Sequence, residues 1–223
     1  MNTKNILFFL FFSLITLNSF GQKYSKSQFT VFSYNMNIEE KVKIELSKVE
    51  SNINFKTEKK QTKLEAMLIH TMYENLTKAL SDTFSIFFLP TNSFANKVKY
   101  SDYGYPDINI SKAIRLSDTK FFLKIYVSIE NEVNDNKGHR LEPNAFRPKV
   151  RLSVDIYNKY GNVAIQSATG SASTRNTIIV TPEFIAGMNY IDENIVRKQN
   201  SEVLIDLYTR AIDEVVAGIK YKK

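Results

Sequence analysis

Two stretches, 121-FFLKIYVSIE-130 and 150-VRLSVDI-156, decide the fold. In the first, Phe121, Leu123, Ile125, Val127 and Ile129 fall on one phase of a two-residue period, while Lys124, Tyr126, Ser128 and Glu130 fall on the other. A strand sends successive side chains to opposite faces, so this alternation predicts a sheet buried on one side and wet on the other. Val150, Leu152, Val154 and Ile156 repeat the pattern. Tyr160-Gly161-Asn162 then reads as a turn, with Val163 and Ile165 starting a return strand toward Thr174.

The buried side of such a sheet needs helices to cover it. Thr62-Lys63-Leu64-Glu65 has the spacing of a capping box, where the Thr hydroxyl and the Glu carboxylate each satisfy an open backbone N–H. Leu64, Met67, Leu68, Met72, Leu76 and Leu80 follow at helical spacing, and Ser81-Asp82 ends the run. A second apolar face, Val203, Leu204, Leu207, Tyr208, Ala211, Ile212, Val215 and Ile219, predicts a closing helix, with Asp206 and Arg210 on its polar side. Phe84 to Leu89, apolar on both phases and stopped by Pro90, reads as a central strand, and Phe29 to Tyr34 as a short one. A short helix capped near Asn109 is expected before Phe121, while Asn35 to Lys60 fits strand and helix equally well. The fold class is α+β, an α/β sandwich: a mixed, mainly antiparallel sheet with helices packed on one face.

The amino terminus predicts export. Lys4 precedes the apolar run Ile6 to Leu17, and Ser19 and Gly21 place small residues before a cut ahead of Gln22. The run is shorter than the ~20 residues that cross a bilayer, and no later segment reaches that length. The expected organisation is a signal peptide over 1–21, a leader with the first strand over 22–61 and the sandwich core over 62–223, with 22–223 one domain. The mature chain is then periplasmic or secreted. Abundant Lys, Asn and Ile suggest an AT-rich bacterial genome.

Composition excludes several chemistries. The 223 residues include 43% apolar and 24% charged residues, no Cys, no Trp and two His. Without Cys there is no disulfide, thiolate nucleophile or lipid-bearing cysteine. A Ser-His-Asp triad needs a histidine beside a serine, whereas His70 lies mid-helix and His139 in a polar loop. The seven glycines are isolated, so no phosphate cradle forms. The loop Glu132 to Gly138 is rich in oxygen ligands but lacks the spacing of a calcium loop. No metal site, no cofactor and no catalytic residue are expected. The formal charge of +7 would suit nucleic acid in the cytosol. For an exported chain, nucleic acid is not an expected partner, and an anionic envelope polymer takes its place.

The connection Tyr100-Ser101-Asp102-Tyr103-Gly104-Tyr105-Pro106 is the expected contact loop, with Tyr100, Tyr103 and Tyr105 as binding residues. Long connections often bind, and tyrosine offers flat amphipathic area. Packing of these rings onto the sheet is the competing reading. Phe184, Ile185, Met188, Ile191 and Ile195 form a second apolar segment, suited to covering the sheet edge.

The order of elements from about Thr62 to Ile219 resembles the small periplasmic α/β domains of bacterial envelope proteins: the TolB amino-terminal domain and the curli-secretion and penicillin-binding-protein-activator lipoproteins. Ser111-Lys112-Ala113-Ile114-Arg115-Leu116-Ser117-Asp118 followed by Phe121 to Ile129 carries the likeness, with the turn at Gly161 after it. Thr177 to Asn200 is additional to that pattern. The resemblance implies a non-catalytic envelope protein that binds an envelope protein or itself. Two other readings stay open: a carrier of a small apolar ligand, with Met67 and Met72 lining a cavity, and a glycan or peptide hydrolase using two carboxylates.

Overall fold

A computed structural model describes residues 23–44, 63–132, 147–174 and 204–221. The signal peptide, Thr62, His139, most of the oxygen-rich loop and the Phe184 segment lie outside the described residues. So do the side chains of Leu64, Glu65 and Met67.

Five strands form one sheet in the order β2-β1-β3-β4-β5. They are β1 (Gln28–Ile38), β2 (Phe87–Phe88), β3 (Phe121–Asn131), β4 (Pro148–Asn158) and β5 (Gln166–Ser173). The helices are α1 (Lys63–Phe84), α2 (Ile110–Leu116) and α3 (Leu204–Tyr221), and residues 40–44 are also helical. β1 runs parallel to both β2 and β3, whereas β3, β4 and β5 pair antiparallel. The sheet is therefore mixed, with its antiparallel part in the meander that the alternating stretches predict. Among the described residues no helix is long and apolar enough to cross a membrane.

The alternation positions the core. Phe121, Leu123, Ile125, Val127 and Ile129 of β3 are buried, as are Val150, Leu152, Val154 and Ile156 of β4. They meet Leu68, Met72, Leu76 and Leu80 of α1 and Leu207, Ala211 and Val215 of α3. Each such side chain contributes about 1.5–3 kcal/mol when fully buried. The two long helices share this face. The short α2 covers one end of the opposite face, where Phe32, Phe94, Ala113 and Phe122 make a smaller core. Asn109 caps α2 as expected, its side chain accepting from the Lys112 N–H at 2.9 Å. A register shift between Val31 and Ser33 lets Phe32 and Ser33 both turn away from the main core.

Three boundaries differ from the sequence reading. Phe84 to Leu89 is not a central strand: α1 keeps Phe84, Ser85 turns with φ 52°, and only Phe87–Phe88 pair, at the sheet edge. The run looks two-sided because its apolar residues serve a helix end and an edge. β1 is longer than expected and takes in Asn35 to Ile38. Val163 and Ile165 belong to the connection, and the return strand begins at Gln166.

Candidate functional site

The expected contact loop folds back on itself. The Tyr105 carbonyl accepts from the Ser101 N–H at 2.7 Å, and the Gly104 N–H reaches the Ser101 carbonyl at 2.9 Å. Gly104 adopts φ 83°, a conformation glycine takes without strain. The loop then docks on the β1 bulge, with Tyr34 N–H donating to Pro106 O and Ile108 N–H to Phe32 O.

This docking drives Tyr105 inward. It is only 5% exposed, with ring centroids 4.7 Å from both Tyr34 and Tyr73. Its hydroxyl lies 2.7 Å from His70 Nδ1. Tyr105 therefore corrects the sequence expectation: the ring fastens the loop to α1 and β1 and presents no contact surface. Tyr103 is half-buried against the main core. Tyr100 is also half-buried, with a buried hydroxyl that lacks a partner among the described residues. Of the three, Tyr100 and Tyr103 are partly exposed.

Burial keeps the hydroxyls of the aromatic cluster protonated. Burial pushes the Tyr73 hydroxyl up to about 12. Burial, aided by neighbouring tyrosines, raises Tyr34, Tyr105 and Tyr208 well above the usual range. All four hydroxyls stay neutral at physiological pH. The side-chain hydrogen bond of His70 among the described residues joins Nδ1 to the Tyr105 hydroxyl. Among the described residues no three His, Asp or Glu side chains gather as metal ligands.

Two open surfaces remain. The first is a groove of about 760 Å³ between α1 and β2, lined by Glu74, Lys78 and Asp82 from the helix and by Ile86, Phe87 and Phe88 from the strand side. Phe87 is 61% exposed. The N–H groups of Phe87 and Leu89 donate inward to β1, so by strand alternation the Phe88 N–H and C=O face out along an edge that no other described strand pairs with. Sequence reasoning missed this surface by placing Phe87 centrally. Pro90, directly after the run, was the available signal, because proline favours sheet edges.

The second surface is the polar side of the meander. Cross-strand rows run Asn35–Tyr126–Ser153–Thr169 and Asn37–Ser128–Arg151–Ser171. The β3, β4 and β5 members of these rows floor a shallow concavity of about 470 Å³ that Glu130, Lys149 and Glu214 also line. Glu130 accepts from Ser128 at 2.9 Å and pairs with Arg151 at 3.1 Å. Glu132 pairs with Lys149 at 2.6 Å, a hydrogen bond that holds its carboxyl below the usual range. The sequence placed Tyr126 on the wet phase, and an aromatic ring in a polar row was the sign that went unread.

No known family model matches the chain, and no curated protein matches it. Solved structures are similar in outline. Hypothetical protein CT253 from Chlamydia trachomatis shares 11% identity with a TM-score of 0.42, covering 87% of this chain and 96% of that one. Lipoprotein GNA1162 from Neisseria meningitidis shares 8% identity at a TM-score of 0.37, covering 73% and 92%. The PelC dodecamer from Paraburkholderia phytofirmans shares 7% at 0.33, covering 89% and 90%. All three come from bacteria and one is named a lipoprotein; none of the three is a TolB or curli-secretion protein. At these values they carry no functional information for this chain.

Proposed function

We propose that this is an exported, non-catalytic binding or assembly protein of a bacterial cell envelope, periplasmic or secreted, that works through protein–protein contacts. The observation that carries the reading is the α1–β2 groove with Phe87 at its mouth. A phenylalanine that is 61% exposed on an edge strand offers an apolar anchor next to backbone that no other described strand pairs with. A partner segment lying along β2 exchanges hydrogen bonds with the Phe88 backbone and buries the Phe87 ring, the mode of strand addition. Glu74, Lys78 and Asp82 from the helix set orientation more than affinity. The export reading rests on the leader at Ile6 to Leu17.

The test is crosslinking in cells of the full-length protein tagged after Lys223, comparing wild type with Phe87→Asp. The expected result is a discrete envelope partner, or a crosslinked oligomer, that the substitution abolishes while the melting temperature holds. Wild type recovered as an uncrosslinked monomer, or a variant that crosslinks as well as wild type, refutes the assignment.

A further inference from the structure

The polar concavity on β3, β4 and β5 has the composition of a ligand site and not only of a solvated sheet face. Its volume of about 470 Å³ falls within the ~300–1,000 Å³ usual for small-ligand sites. Tyr126 stands 43% exposed in a row whose other members are Asn35, Ser153 and Thr169. The next row adds Asn37, Ser128, Arg151 and Ser171. Within the concavity one flat ring is thus framed by the hydroxyls of Ser128, Ser153, Thr169 and Ser171, the carboxylates of Glu130 and Glu214, and the Arg151 guanidinium.

The geometry points to a binding site for an uncharged oligosaccharide, a chain of neutral hexose or N-acetylhexosamine units, with Tyr126 stacking on the apolar face of one sugar ring. Charge selects this class. Among the described residues the basic side chains of the face stand near acids: Arg151 with Glu130 at 3.1 Å, Lys149 with Glu132 at 2.6 Å, Arg147 with the same Glu132 at 3.9 Å, and Lys124 opposite Asp155 in register. Glu214 adds a carboxylate at the rim, where it accepts from the Ser171 N–H at 2.8 Å. An anionic polymer finds no excess of cations here, while sugar hydroxyls find donors and acceptors together. A peptide is disfavoured because β3 and β4 are paired on both sides and the outer edge of β5 is occupied by Glu214 and Arg210 of α3, which bond the Ser171 N–H and the Ser173 carbonyl. Glu130, held by both Ser128 and Arg151, keeps the guanidinium aimed along the floor before any ligand arrives.

The site is independent of the α1–β2 groove, so one experiment separates the two. Mature protein is titrated calorimetrically with cellohexaose and with chitohexaose, and with polygalacturonate as the anionic control. Amide chemical shifts locate the contact. The expected result is sub-millimolar binding of at least one neutral oligosaccharide, shifts centred on Tyr126, Ser153 and Thr169, and at least tenfold weaker binding in both Tyr126→Ala and Arg151→Met. Phe87→Asp binds as wild type. Absence of binding by either neutral oligosaccharide at about 10 mM, a range where even weak sites register, overturns the proposal. So does Tyr126→Ala or Arg151→Met, folded by its melting curve, binding as wild type. Tighter, salt-dependent binding of polygalacturonate also overturns it, since the face would then be a polyanion surface.

Discussion

Gly170 sits on the core phase of β5 where α3 crosses the strand, and replacing it with alanine tests how closely the two pack. An alanine Cβ there would lie 2.0 Å from the Ala211 carbonyl oxygen and 3.0 Å from both its carbon and Glu214 Cβ. Ordinary contact begins near 3.4 Å, so the oxygen is about 1.4 Å too close. It is a helix backbone atom that no rotamer change can move, so α3 itself must shift. That movement loosens Leu207, Ala211 and Val215 from the sheet. It also strains the bonds that tie the helix to β5, Glu214 to the Ser171 N–H at 2.8 Å and Gln166 to the Ile219 carbonyl at 2.7 Å. Overpacking usually costs ~1–3 kcal/mol, and backbone obstruction puts this case at the upper end. Replacing a strand glycine returns at most ~0.5–1 kcal/mol of entropy. The net expectation is a loss of ~2–3 kcal/mol, a fall in melting temperature of about 5–10 °C for a domain of this size. Thermal and urea unfolding followed by circular dichroism measure it. Gly218→Ala is the control, because its Cβ meets only the Ala168 Cβ, at 3.2 Å, and alanine favours the helix by ~1 kcal/mol. Gly170→Ala within ~0.5 kcal/mol of wild type, or Gly218→Ala equally damaging, would refute the close crossing.

Two buried tyrosines predict opposite outcomes. Tyr34→Phe removes a bond to the Ile69 carbonyl at 2.9 Å and should cost about 1 kcal/mol in urea unfolding. Tyr208→Phe removes a buried hydroxyl without a partner among the described residues, so stability should hold or rise, and a loss as large as that of Tyr34→Phe would contradict this. Alkali gives a further check. Burial raises Tyr24 and Tyr73 from about 10 to about 12, so the folded chain holds these protons to higher pH than the unfolded chain. Stability is unaffected below pH ~10 and declines as pH rises from there toward 12. Absorbance at 295 nm should show an early group of tyrosines and a late group that ionises with unfolding. All twelve ionising together near pH 10 with native circular dichroism would rule out the buried cluster.

What the sequence reveals follows from where each signal is stored. Alternation in β3 and β4 and the apolar stripes of α1 and α3 come from burial on one side, which local order reports directly. The role of Phe84 to Leu89 is not local. Whether such a run lies centrally or at an edge depends on which strand pairs beyond it, and here none of the described strands does. The opposite-face core of Phe32 and Phe122 was hidden for a related reason. A register shift at Phe32 breaks the two-residue period, and Phe122 reads as a wet-phase position in an otherwise regular strand. Tyr105 failed as a contact residue because a loop aromatic carries no period. Only the docking of Pro106 and Ile108 on β1 shows that its ring turns inward.

The two open surfaces differ in kind, and the strand order keeps them apart. β2 offers, at one edge, backbone that no other described strand pairs with, while the concavity lies on the polar side of β3, β4 and β5, with β1 between. At the far edge Glu214 occupies the Ser171 N–H, and the Arg210 guanidinium reaches the Ser173 carbonyl at 3.5 Å. α3 thus shields the β5 edge, as proteins do against unwanted pairing. Strand addition is then directed to β2, and a segment added there extends the sheet away from Tyr126. If both proposals hold, protein contact and saccharide contact can coexist on one molecule. Simultaneous binding makes this concrete. An oligosaccharide should bind the crosslinked complex and the free protein with equal affinity, whereas a shared surface would make the two ligands compete.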